Sequence, residues 1–237
     1  MARAYLAEFK ATEEDLARVA VKNHDNGLLN PKAHLRKKIT VDDVLKSAVV
    51  ASPLKLYDCC PFSDGASAVI LCSEKFAKAH TKNYVEVIGS GRGGSPAALQ
   101  GRDHITTIPS TRIAAQAAYK MAGISPQDVD FAEVHDCFTI AELVDTEDLG
   151  FFEKGKAVEA VREGRTKLNG DISINPSGGL KSKGHPIGAT GIGQVAEVFD
   201  QLTGKAGERT VKDAKIGLTH NFGATGASCA VHIFKSV

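Results

Sequence analysis

Asn175 to Gly193 reads NPSGGLKSKGHPIGATGIG, with His185 held between Gly184 and Pro186. Six glycines and two prolines in nineteen residues exclude a single regular element, so the run is a shaped loop that feeds a helix near Ala189. Beyond it, Ile192, Val195, Ala196 and Phe199 recur at helical spacing, and Gly204 stands where a C-terminal cap belongs. Glycines at 188, 191 and 193 each cost such a helix about 1 kcal/mol relative to alanine, which predicts that another backbone or a ligand comes close there. His185 then precedes a helix N-terminus, whose dipole favours the neutral, basic imidazole. The alternative is that the glycines pack a buried helix and His185 is an ordinary loop histidine.

Upstream, the pattern alternates between helix and strand. Thr12 with Glu13, Glu14 and Asp15 is a helix start of capping-box type, and Leu16, Val19 and Ala20 supply the buried face of a short helix. Lys22 to Ser52 reads as a long polar connection containing the basic cluster Arg36, Lys37 and Lys38, either solvated surface or a contact for a phosphorylated substrate. Asp58 to Gly65 (DCCPFSDG) is a turn, Ala66 to Cys72 a buried strand, Ser73 the cap of a helix through His80, and Tyr84 to Gly89 another strand. Glycines 89, 91, 93 and 94 then read as a flexible loop around Arg92. Ser110 opens a helix that Gly123 closes, and Val129 to Val134 form a strand that delivers His135-Asp136-Cys137-Phe138 at its end. One or two helices fill Thr139 to Glu163, and Ile172 to Ile174 form a short strand before the glycine loop. Strands Lys215 to Asn221 and Ala227 to Phe234 finish the chain, with His220-Asn221-Phe222-Gly223 at the bend between them.

This is an α/β chain, and three polar clusters fall at the ends of three of its strands, where ligands of open α/β sheets gather. His135 and Cys137 are two apart, so at an extended strand end they point to one side, and a thiol with an imidazole is suited to proton transfer near neutral pH. Cys59, Cys60, Cys72 and Cys229 lie in apolar or turn contexts and read as packing. The Gly188 to Gly193 run is not a dinucleotide fingerprint, because it follows a histidine loop and its glycine spacing is wrong.

Composition excludes several classes of function. Net charge +1 with scattered, balanced lysines and arginines carries no footprint for nucleic acid. At 43% apolar and 24% charged residues the composition is that of a globular protein, without an apolar run of the roughly 20 residues that cross a bilayer and without a signal-like Met1 to Lys10. Five cysteines give neither a disulfide framework nor metal-ligand spacing, so the expectation is no metal and a reducing cytoplasm. The terminal Lys-Ser-Val is not a peroxisomal signal.

Five runs in order resemble the C-terminal portion of thiolases of the sterol-carrier-protein and archaeal acetyl-CoA acetyltransferase branch. They are KNH at Lys22 to His24, DCCPFSDGASA at Asp58 to Ala68, HDCF at His135 to Phe138, NPSGGLKSKGHPIGATG at Asn175 to Gly191, and HNFGATG at His220 to Gly226. The resemblance implies the second half of a layered αβαβα fold, a mixed five-stranded sheet covered by helices, with residues 1–108 a remnant of a loop domain and the end of the N-terminal domain, and residues 109–237 the C-terminal domain. It implies reversible Claisen chemistry on acyl-CoA thioesters, coenzyme A entering as part of the substrate with no resident cofactor. His185 would activate a nucleophilic cysteine and help hold a thioester oxygen. His135 would take the oxyanion-hole position, and Cys137 would move the proton of the acetyl carbon. His220 stands where other thiolases carry their second cysteine; His220, Gly223 and Gly179 would line the substrate pocket, with Ser90 near coenzyme A.

No Cys-Ala-Ser or Cys-Ser-Ser setting of the nucleophile occurs, and Met1 to Lys22 looks like the tail of the lobe that covers the active site. The expectation is that a chain carrying the family's N-terminal half supplies the nucleophile, in a homo- or hetero-oligomer. A non-catalytic scaffold subunit and a fragment of a longer enzyme are the alternatives. By resemblance, a hydroxymethylglutaryl-CoA synthase and a zinc-ribbon bridging protein are possible partners. The helix after His185 is apolar enough to be covered on both faces.

Overall fold

A computed structural model describes all 237 residues. The helices are α1 (Ala2–Phe9), α2 (Glu13–Leu28), α3 (Val41–Lys46), α4 (Glu74–His80), α5 (Pro109–Ala122), α6 (Thr139–Asp148), α7 (Ala157–Arg162), α8 (Gly179–Ser182) and α9 (Thr190–Leu202). A small hairpin pairs β1 (Val49–Ala51) with β2 (Leu54–Lys55). The main sheet contains β3 (Val85–Gly94), β4 (Phe131–Glu133), β5 (Ser173–Ile174), β6 (Ile216–Gly223) and β7 (Ser228–Ser236), in the order β3-β7-β6-β4-β5. β4 runs parallel to β5 and β6, while β7 is antiparallel to both its neighbours, so the sheet is mixed and five-stranded as expected.

Helices cover both faces. Cys229, Val231 and Ile233 of β7 join the main core with Ala114 and Ala118 of α5, and Phe234 joins Phe131 and Val198 of α9 on the other side. The predicted caps hold: Thr12 and Asp15 form a capping box, Ser73 Oγ accepts from Phe76 N, and Gly123 closes α5 at φ 68°.

Three predictions fail for physical reasons. The glycines at 89, 91 and 93 are not a flexible loop but the inner face of β3. A Cβ on Gly91 or Gly93 would fall on the carbonyl oxygen of Ala114 or Ser110, and one on Gly89 would come within 2.5 Å of Ala118 O. Two strand residues advance about 6.6 Å and four helix residues about 6 Å, so an alternate-glycine strand fits antiparallel against an i, i+4 row of α5. The segment read as a polar connection instead begins with the second half of α2 and later forms α3. There Lys22, Asn23 and Asn26 are buried, and their partners lie more than a hundred residues away. Apolar periodicity misses a helix face whose burial is hydrogen-bonded.

The third correction concerns Ala66 to Cys72, which is extended but unpaired, with Ile70 91% and Leu71 79% exposed. No strand of these 237 residues lies beside it. Its residues Ala68 to Cys72 line a groove of about 810 Å³ together with Val195 and Phe199 of α9. The glycines flanking and opening α9 also fail to meet a close neighbour within the chain: a Cβ at 188 or 193 would meet nothing, and one at 191 only Asn221 in ordinary contact.

Candidate active site

The site is built where β4 and β6 end and where the loop after β5 returns. β4 leaves the sheet through two tight turns, Asp136 N donating to Val134 O (3.1 Å) and Cys137 N to His135 O (2.9 Å), before α6 starts. These turns present His135, and the 175–190 loop presents His185 against it. The two ring centroids are 5.0 Å apart at 86°, edge to face, and Phe222 of β6 packs 4.5 Å from His135.

The turn at 58–63, read from sequence only as a turn, stitches these two segments together. Cys60 N donates to Cys137 O (3.0 Å), Cys59 bridges Phe138, and Asp58 accepts from the Thr139 hydroxyl (2.7 Å). On its other side Phe62 bridges His185, whose backbone N–H donates to Ser63 Oγ (3.1 Å).

The ring of His185 is fixed by Thr190, at the first turn of α9. Thr190 Oγ1 donates to Pro186 O (3.0 Å), so it must accept from His185 Nδ1–H at 2.7 Å. That tautomer leaves the Nε2 lone pair as the basic end. Burial lowers the pKa of His185 and keeps it neutral. His135 is driven down to about 3, first by burial and then by His185, so the site holds two uncharged imidazoles at pH 7. His135 Nδ1 is enclosed without a hydrogen-bond partner, and Nε2 is the ring nitrogen that still meets open space.

Behind the rings lies a network that sequence reading missed. Asp136 accepts from Leu180 N (2.7 Å), Lys181 N (3.3 Å) and Asn23 Nδ2 (2.8 Å), tying β4 to α8 and α2. Asn23 also donates to Glu142 (2.8 Å), which Lys22 neutralises at 3.0 Å. Asn175 receives Val134 N on its side-chain oxygen (2.8 Å) and donates to Glu142 (2.9 Å). The KNH run was the available signal: polar residues in an otherwise apolar helical pattern.

The remaining nominated residues separate by position. Cys137 is half-buried beside the main core, and burial raises its thiol far above the ordinary range. His220 lies inside β6, not at a bend, and is fully buried, with Nε2 on Thr111 Oγ1 (2.9 Å) and Nδ1 facing His135 N (3.5 Å), so it backs His135. Gly179 is buried at φ 59° against the Asp136 carboxylate, where a side chain would collide; its place is to let α8 close on Asp136. Gly223 is exposed at the end of β6. Ser90 sits mid-way along edge strand β3, paired with His232 and two strands from β6, and the fold does not bring it to the imidazoles.

Residues 91–236 match the family model described as thiolase C-terminal domain-like, and residues 1–75 match the thiolase N-terminal domain. The chain belongs to the thiolase family. An acetyl-CoA acetyltransferase of Methanothermobacter thermautotrophicus is 51% identical over 235 residues, covering 99% of this chain and 61% of that protein. Sterol carrier protein 2 of Gallus gallus is 40% identical over 228 residues, covering 94% of this chain and 42% of its own length. Among solved structures, the thiolase fold is shared with an Ltp2-ChsH2(DUF35) aldolase at TM-score 0.89 and 27% identity, covering 99% of this chain and 61% of that one. This thiolase chain therefore spans about three-fifths or less of the relatives it matches. No helix in it is long and apolar enough to cross a membrane.

Proposed function

We propose that these 237 residues carry the proton-handling side of a thiolase-type acyltransferase acting on acyl-CoA thioesters, and that a segment outside them supplies the nucleophilic cysteine. The observation that carries the reading is the pair of neutral imidazoles 5.0 Å apart, one of them locked by Thr190 with its basic nitrogen free. In this reading His185 Nε2 takes the proton of the incoming cysteine thiol, whose sulfur attacks the acyl-CoA carbonyl, and hands that proton to the departing sulfur, so that coenzyme A leaves as the thiol. Cys137, as thiolate, removes a proton from the α-carbon of a second acyl-CoA. The resulting carbanion attacks the acyl-enzyme carbonyl, and collapse of the adduct returns the cysteine sulfur and releases a 3-ketoacyl-CoA.

His135 serves as the oxyanion donor. With its proton on Nε2 it offers an N–H to a thioester oxygen, and the enclosed Nδ1 then carries only an unpaired acceptor, which costs less than an unpaired donor. The negative charge of that oxygen is met by a donor already in place.

An exposed strip supports a place for the complementary segment. Ile70 and Leu71 line a groove too apolar to face water comfortably, and Phe62 is itself 93% exposed. The unmatched 39% of the acetyltransferase relative (100 minus the 61% matched) is the chemistry that would cover it, either in one longer polypeptide or in a hetero-oligomer. Assembly with further subunits, such as a hydroxymethylglutaryl-CoA synthase and a zinc-ribbon bridging protein, belongs to the same reading. The domain division at 108/109 does too.

The test is complementation. The 237-residue chain is mixed or co-expressed with the N-terminal segment of the acetyltransferase relative, and thiolysis of acetoacetyl-CoA is followed. We expect turnover only in the mixture, abolished by His185→Ala and by Cys137→Ala. Turnover by the chain alone that survives both changes, or a stable complex indifferent to them, overturns the proposal.

A further inference from the structure

Helix α6 carries four buried acids, and three of them are compensated. Glu142 has Lys22, Asn23 and Asn175; Glu147 has the Tyr5 hydroxyl, Ala157 N and Lys154; Asp148 has Ile108 N (2.7 Å) and Lys154. Asp145 is different. It is 0% exposed, neither carboxyl oxygen has a hydrogen-bond donor, and no cation is bound to it. His220 Nδ1 lies 3.6 Å from its Oδ2.

The protonation of that neighbour follows from its other contacts. Thr111 Oγ1 donates to Cys229 Sγ (3.7 Å), so it accepts from His220 Nε2–H at 2.9 Å. His135 N–H points at Nδ1 from 3.5 Å, which leaves no room for a second hydrogen there. Nδ1 is therefore a lone pair, and a lone pair facing a carboxylate at this range is repulsive. A carboxylic acid O–H facing it is attractive.

We propose that Asp145 is a positioning residue, held as a neutral carboxylic acid whose proton faces His220 Nδ1 and steadies the ring that backs His135. Burial favours the neutral acid, and the acids Asp148, Asp136 and Glu142 add to it, against Lys154. Were Asp145 ionised, its charge would act on the Cys137 thiol ahead of Cys60 and Asp136. An ionised carboxylate at that place would oppose a thiolate directly. The protonation state of Asp145 stands apart from the reading of Cys137 as the base.

Two measurements on the 237-residue chain separate those statements. Infrared difference spectra between wild type and Asp145→Asn read which species is lost. The protonated-carboxyl stretch is expected to disappear at neutral pH, and loss of a carboxylate band instead overturns the proposal. Carbon-13 labelling of aspartate in the wild type gives the same answer should the variant not fold. Alkylation of Cys137 by iodoacetamide, read by peptide mass against pH, is expected to stay within about twofold in Asp145→Asn, whereas removal of a real negative charge would speed it about tenfold at fixed pH. A tenfold rise refutes neutrality. Should complementation fail while the carboxyl stretch behaves as expected, the assignment of Cys137 falls and that of Asp145 stands.

Discussion

Replacing Thr190 with valine tests the electronic arrangement of His185 with almost no change of shape. The hydroxyl is buried, accepts from His185 Nδ1 at 2.7 Å and donates to Pro186 O at 3.0 Å. Each such bond contributes a net of about 1 kcal/mol, so the fold should lose about 1–2 kcal/mol and remain native. The consequence at the ring is more specific. Losing about 1.4 kcal/mol of preference for the Nδ1–H form shifts the tautomer ratio about tenfold toward Nε2–H, which removes the basic nitrogen from the side that meets substrate. Nitrogen-15 spectra of the ring in the isolated chain should report that shift, and kcat of the complemented enzyme should fall about tenfold with KM nearly unchanged. Thr190→Ser restores the hydroxyl and should restore both. A valine variant that keeps the wild-type tautomer and kcat, or a serine variant that rescues neither, refutes the reasoning.

The fold makes its own demands. Gly91→Ala puts a methyl on the Ala114 carbonyl and should cost about 1–3 kcal/mol by urea unfolding, while Gly94→Ala, whose added carbon meets only Ala227 O at 3.9 Å, should change stability by less than about 0.5 kcal/mol. Lys22→Met strands the buried Glu142 carboxylate and should cost about 3–5 kcal/mol; adding Glu142→Gln should recover part of it, and a loss unaffected by that second change would show that the pair is not what matters. His220 is held down at about 3 by burial and by His135, below the ordinary 6.5, so the unfolded chain takes its proton first as pH falls. Its contribution is intact above pH 6.5 and is lost progressively toward pH 3. Relative to His220→Asn, wild type should therefore lose about 2 kcal/mol between pH 7.5 and 5, and a pH-independent difference would contradict the assignment.

Local chemistry was legible wherever a residue acts on its own neighbours. Thr12, Ser73 and Gly123 bound their helices because capping is a matter of three or four residues, and the alternation of short apolar runs with helical ones named an α/β sheet. His135 and His185 were nominated because both stand in loops at strand ends, and the fold sets their rings face to edge.

Tertiary structure alone decided the rest. Glycines 89, 91 and 93 carry the same local signal in a loop as in a strand, and only the row of α5 carbonyls distinguishes the two. The same holds for Ala66 to Cys72, whose apolar composition predicts burial but which the fold of these residues leaves unpaired and exposed. Lys22 and Asn23 read as part of a polar connection, and Asp145 carries no signal at all, because their compensation, or its absence, is set by groups tens to hundreds of positions away. The amino-acid order specifies which side chains can cap, turn or alternate over a few residues; the charge state of a buried acid depends on what else the fold carries to within about 4 Å of it, and that distance has no counterpart along the chain.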